Sequence, residues 1–192
     1  MAKKSSKSGA SRSPRAQSKI LDTITADDAL TILRHLATHD ARMAERIADT
    51  AMELLCDADL DVDGIAADVQ WELESLDVED VWDRSGSTRH GYVDSGDAAW
   101  EMFEEALQPF QEEMKRYKQL SRRREVKLFC MGLLKGLYIF DKESKSEYKN
   151  WAEDAPYGFF RRLRQEWQEW NKSQRDLEAM NRFLARNCPD WA

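Results

Sequence analysis

Apolar residues recur along this chain at three- and four-residue steps, the spacing that gathers side chains on one face of a helix. The densest run is Leu128 to Phe140, LFCMGLLKGLYIF. Val126, Phe129, Cys130, Leu133, Leu137 and Phe140 share one face, and Leu128, Met131, Leu134 and Tyr138 fill much of the other. A helix apolar nearly all round is the centre of a bundle or a membrane span. This run has 13 residues and contains Lys135, whereas a span needs about 20 predominantly apolar residues. It therefore reads as a core helix. Gly132 and Gly136 stand one turn apart within it. Each costs roughly 1 kcal/mol of helix propensity against alanine. Either a neighbouring helix approaches closely there, or both glycines are simply tolerated. Ser121 is the expected N-cap, and DKESKS from Asp141 is the expected end.

The same periodicity lays out the rest of the chain. Thr25 followed by Asp28 signals a capped helix over about 26–38, with Leu30, Leu33, Leu36 and Ala37 on its apolar face. Asp40 caps a second helix carrying Met43, Ile47, Ala51, Leu54 and Leu55. The short connection predicts an antiparallel hairpin. After the break DADLDVDG, a third helix aligns Ile65, Val69, Leu73 and Leu76. Asp77 starts a short helical turn with Val78, Val81 and Trp82.

The segment Asp83 to Gly96, DRSGSTRHGYVDSG, holds three glycines and reads as the longest loop. A long loop inside a compact domain is more often functional than a short one. A long helix follows from Asp97 to about Gln119, burying Trp100, Phe103, Leu107, Met114 and Tyr117. Pro109 inside it is expected to kink or split it. Glu147 to Trp151 form a short helix, and Pro156 suits the first position of the last one. That helix runs from Tyr157 toward Asn187. Leu163, Trp167, Trp170, Gln174, Leu177, Asn181 and Leu184 make a heptad seam whose polar members either fix register or mark where the helix leaves the core. The fold expected is all-α, an irregular bundle or short solenoid of about seven or eight helices. A single helical domain is expected over 21–192, with 171–192 as a protruding C-terminal helix.

Composition sharpens this picture at two points. Only 8 Gly and 4 Pro in 192 residues argue against an all-β fold. The net charge of −7 is unevenly spread. Lys3, Lys4, Lys7, Arg12, Arg15 and Lys19 give residues 1–19 a charge of +6 with no acid, so the remainder carries −13, the net −7 less that +6. Residues 1–20 are expected to be a disordered basic tail, either solubilising or touching an anionic partner. The acidic body repels phosphate and is a poor general nucleic-acid binder. Three scattered cysteines, Cys56, Cys130 and Cys188, suit a reducing compartment. With no signal-peptide core or span, the expectation is a cytoplasmic protein.

Chemical motifs are sparse. Asp59, Asp61, Asp63 and Gly64 match the start of a calcium loop, but its twelfth position is Gln70 where a bidentate Glu is needed. The alternative is an acidic turn ending in an N-cap. His35 and His39, one turn apart, could share a metal with Cys56 or Asp40, although His39 also suits a helix C-terminus. Lys115, Arg116 and Lys118 with Arg122, Arg123 and Arg124 form one basic patch. Arg161, Arg162 and Arg164 form another; either could read an anionic surface, or both are solvated faces paired with glutamate. There is no GxGxxG, P-loop, GxSxG or Cys/His nucleophile pattern. No enzyme, cofactor or metal is expected.

From Asp77 to Phe160 the segments VEDVWDRSGSTRHGYVDSGDAAWEMFEEALQPF and LFCMGLLKGLYIFDKESKSEYKNWAEDAP resemble an uncharacterised family of prokaryotic all-helical proteins. That family is associated, in longer proteins, with SWIM-type zinc fingers. The resemblance covers a little under half the chain and implies a helical fold in a prokaryotic cytosol, with no reaction attached. No CxC…CxH ligand set is present, so zinc or nucleic-acid binding by such a finger does not carry over. The function expected is a non-enzymatic scaffold or adaptor for protein–protein interaction. Its partner surface would include Arg84, His90, Tyr92, Trp170 and Trp191, and self-association would use the C-terminal helix. The alternative is a nucleic-acid accessory touching anions through Lys3, Lys4, Lys7, Arg12 and Arg15.

Overall fold

The computed structural model describes residues 23–56, 60–88 and 91–192, with backbone alone at 52–56 and 88. The described residues are almost entirely helical, and the all-α class holds. The chain divides between Asp59 and Leu60 into two compact units. The sequence pattern had indicated one domain. Both halves share the same helical period, so periodicity alone does not mark the division.

The described part of the first unit is a helical hairpin, α1 (Ala26–His39) and α2 (Ala41–Cys56). Its caps are those the sequence announces. Thr25 and Asp28 form a reciprocal capping box, each backbone N–H donating to the other's side chain at 3.2 Å. The Asp40 carboxylate accepts from Arg42 and Met43 N–H at 2.9 and 3.2 Å.

The second unit comprises α3 (Val62–Glu74), α4 (Val78–Arg84), strands β1 (Gly86–Thr88) and β2 (Gly91–Val93), α5 (Ser95–Gln119), α6 (Arg123–Glu143), a 3-10 turn (Glu147–Asn150), α7 (Ala155–Trp170), α8 (Gln174–Asn187) and a last 3-10 turn (Pro189–Trp191). Helix α6 is the expected centre. Leu133, Leu134, Leu137 and Phe140 are fully buried, and α3, α5, α7 and α8 pack around them. The glycine pair proves to be a contact surface. A Cβ on Gly132 would lie 2.6 Å from Cβ and Cγ2 of Ile65; one on Gly136 would lie 2.7 Å from Val69 Cβ and 2.8 Å from the Ala66 carbonyl oxygen. Real Cβ atoms do not approach that closely, so α3 lies where only glycine admits it.

Four local expectations are corrected. The Asp83–Gly96 loop contains a small antiparallel pair, Gly86 opposite Val93 and Thr88 opposite Gly91. Gly86 and Gly91 reach φ +95° and +131°, a region side chains avoid. Pro109 does not split α5, whose buried residues lie on both sides of it, from Met102 and Phe103 to Met114 and Tyr117.

Ser121 does not cap α6, whose N-cap is Arg122 and makes no side-chain cap hydrogen bond. Instead Ser121 closes α5 at φ +56°. Its N–H donates to Lys118 O, and Arg122 N–H to Tyr117 O, both at 3.0 Å, the paired bonds of a left-handed helix stop.

The final helix breaks at Asn171–Ser173, where the buried Asn171 accepts from Ser173 N–H at 3.3 Å and Ser173 caps α8. The C-terminal segment does not protrude. Met180, Leu184 and Cys188 are buried, and α8 packs on α6, while Gln174 and Asn181 face solvent.

Candidate interaction surface

Helix α4 is short, acidic and anchored on one side only. The Asp77 carboxylate caps it by accepting from Glu79 N–H at 3.0 Å. Val81 is fully buried and holds the helix to the core, which leaves Trp82, one residue on, turned outward and 57% exposed. The Trp82 indole meets Trp151 edge-on, ring centroids 6.3 Å apart at 81°. Opposite it, Ser146 caps the first 3-10 turn and accepts from Tyr148 N–H at 3.3 Å. Tyr148 is buried; its hydroxyl donates to the Ala99 carbonyl, and burial pushes its pKa up.

Between these elements lies a groove of about 350 Å³ lined by Leu76, Val78, Trp82 and Tyr148, with Asp77, Glu79 and Glu147 at its edge. Among the described residues these three carboxylates make no ion pair, although eight such pairs form elsewhere in the second unit. Arg84, the one cation of α4, is committed to Glu105 at 2.6 Å, and that bond raises its pKa. The groove thus combines an apolar floor, an indole wall and an unneutralised acidic rim. A cation with an aliphatic stem fits that chemistry.

The residues singled out from sequence fall in different places. Tyr92 on β2 is 78% exposed. His90 lies outside the described residues, as do Lys3, Lys4, Lys7, Arg12 and Arg15. Trp170 is half-buried against the core. Trp191 sits in an aromatic cluster, its ring 5.2 Å from Tyr138, 5.3 Å from Tyr157 and 5.0 Å from Phe160, with Lys142 Nζ 5.6 Å above it. Trp191 thus packs half-buried against α6 and α7. On α8, Met180 and Leu184 are buried, while Leu177 and Phe183 are half-buried against the core.

Among the described residues the ligand constellations do not assemble, and the Cys56 side chain lies outside them. Asp61 is the α3 cap, accepting from Asp63 and Gly64 N–H at 3.1 and 3.0 Å. Asp63 pairs with Lys135 at 2.6 Å, Gln70 donates to Glu74, and Asp59 lies outside the described residues. The His35 and His39 rings lie 4.1 Å apart, His39 Nδ1 is 2.8 Å from His35 O, and Asp40 is engaged as a cap. No group of three or more His, Cys, Asp or Glu gathers among the described residues in a way that could hold a metal. The basic patches are partly paired: Arg116 with Glu113, Arg122 with Glu125 and Arg162 with Glu104. Cys130 and Cys188 are buried, and burial pushes both thiols up to about 12. No described helix is long and apolar enough to cross a membrane.

Fold and groove together define an all-helical protein with an acidic, aromatic surface cleft. Comparison of the chain with family models, with curated proteins and with solved structures finds no match.

The groove was hidden in the sequence for a physical reason. Leu76, Val78 and Trp82 read as ordinary helix-face residues, and Glu147 is remote from them. The available signal was the density of acid around Trp82 in DVEDVWD.

Proposed function

We propose that this protein is a non-enzymatic helical scaffold that holds a partner protein by a Lys- or Arg-bearing segment seated in the α4 groove. The observation that carries the reading is an exposed indole and an apolar floor beside the carboxylates of Asp77, Glu79 and Glu147, which make no ion pair among the described residues, Asp77 serving also as the α4 cap. A basic side chain would lay its methylenes on Leu76, Val78 and Trp82 and bring its head to Asp77, Glu79 and Glu147. Tryptophan at such a position is the kind of anchor that dominates binding energy when a partner covers it. Assignment to a nucleic-acid accessory rests wholly on tail residues outside the described ones, and the groove's acidic edge repels phosphate.

The test is affinity capture from nuclease-treated lysate with the wild-type chain, Trp82→Ala, and Glu79→Gln/Glu147→Gln. Proteins retained by the wild type should fall at least tenfold with either variant. An unchanged set, or recovery only when nuclease is omitted, overturns the assignment.

A further inference from the structure

We infer that a cleft between α5 and α7 binds a small zwitterion, a free α-amino acid. Side chains bridge these two helices where Phe159 meets Trp100 and Phe103, ring centroids 5.5 and 5.3 Å apart, and where Arg162 pairs with Glu104. Beyond those contacts lies a cleft of about 250 Å³. A stripe of α5 from Gln108 to Lys118 lines one side, and Glu166 of α7 lines the other.

The polar groups of this cleft are mostly uncommitted. Among the described residues Lys115, Lys118 and Glu166 make no hydrogen bond or ion pair, although both charge signs share the space. Lys118 and Glu166 both act on the buried Cys130 thiol of α6, in opposite directions, so the two charges converge over α6 without pairing. Gln111 lines the cleft, and its Nε2 is buried with no acceptor. A buried donor left unmet is destabilising, and native interiors rarely keep one. The last torsion of a glutamine side chain is soft, so the amide can turn Nε2 to an acceptor that enters the cleft.

The charges name the ligand. Lys115 and Lys118 are balanced by Glu112 and Glu166. A simple anion meets two carboxylates in this small space, and a simple amine meets two ammonium groups. A molecule carrying both charges satisfies the lining. Its carboxylate accepts from Gln111 Nε2 and the lysines, and its ammonium group donates to Glu166. Glu112 already accepts from Gln108 Nε2 at 2.9 Å, which leaves Glu166 as the free carboxylate. Met114, buried, gives an apolar floor for the ligand's side chain. The volume falls below the roughly 300–1,000 Å³ of drug- and cofactor-sized pockets, which suits a molecule of few atoms.

The cleft shares no residue with the α4 groove, and neither reading depends on the other. The experiment is thermal unfolding of the full chain with each of the common L-amino acids at 5 mM. At least one with an apolar side chain should raise Tm by about 2 °C or more, because a ligand held only by the folded state stabilises it. Its deaminated and decarboxylated analogues should not. Titration calorimetry with that amino acid should show affinity falling at least tenfold in Gln111→Leu and in Glu166→Gln, with helical circular dichroism retained. No shift with any amino acid overturns the inference. An equal shift from the deaminated analogue makes this a plain anion site and also overturns it. Affinity unchanged in both variants places the ligand elsewhere, with the same consequence. Should Gln111→Leu lose helicity, Lys115→Ala, at an exposed position, replaces it, and unchanged affinity there overturns the inference as well.

Discussion

Replacing Gly136 by alanine should destabilise the second unit even though alanine is the better helix former. The new Cβ would stand 2.7 Å from Val69 Cβ, 2.9 Å from Val69 Cγ1 and 2.8 Å from the Ala66 carbonyl oxygen. None of these is the free end of a flexible side chain, so α3 must shift away from α6. Overpacking of this kind costs about 1–3 kcal/mol, and two contacts fixed to the α3 backbone place it in the upper half of that range. The gain in propensity returns about 1 kcal/mol. The expected net loss is therefore about 1–2 kcal/mol, a fall in Tm of about 4–8 °C for a unit of this size.

Thermal and urea unfolding followed by circular dichroism would read it. Gly132→Ala should behave alike, because Ile65 Cβ and Cγ2 would lie at 2.6 Å and the Val62 carbonyl oxygen at 3.1 Å. Gly158→Ala is the contrast. Its nearest neighbour is Trp100 Cη2 at 2.8 Å, the far tip of a part-exposed side chain, so its Tm should stay within about 2 °C of the wild type. A Gly136→Ala variant more stable than the wild type would refute the close crossing of α3 over α6.

Two further outcomes follow from local geometry. Ser121→Gly should stabilise by about 0.5–1 kcal/mol, because Ser121 occupies a left-handed conformation that costs a side-chain residue about 1–2 kcal/mol, offset in part by glycine's freer unfolded chain; a urea midpoint that fails to rise argues against that helix stop. Asp176 accepts from Lys127 Nζ at 2.7 Å, a bond that holds its carboxyl below the usual carboxylate range. The stability it contributes is complete above about pH 4, the unfolded value, and is lost as pH falls through the lowered native value. Asp176→Asn should remove that part of the acid loss, and a pH–stability curve parallel to the wild type's below pH 4 would contradict the coupling.

The sequence by itself determined the elements. Periodicity located the helices, the Thr25–Asp28 box and Asp40 placed their caps, and the apolar run of α6 named the centre, because each of these depends on residues three or four apart. The pair Gly132 and Gly136 left two readings open, a close crossing or mere tolerance, and the positions of Ile65 and Val69 decided for the crossing. What only the tertiary structure decided involves residues far apart in the chain. Which helix crosses the glycines was set by Ile65 and Val69. Trp191 and Trp170 turned inward because Tyr138, Tyr157 and Phe160 were there to receive Trp191, while Trp82 turned outward because Val81 took the core. The stop at Ser121 and the break at Asn171 hinge on conformations that polar residues adopt when packing on either side fixes the helix directions. The groove exists because the 3-10 turn at Glu147 folds back beside α4, a juxtaposition no local spacing encodes.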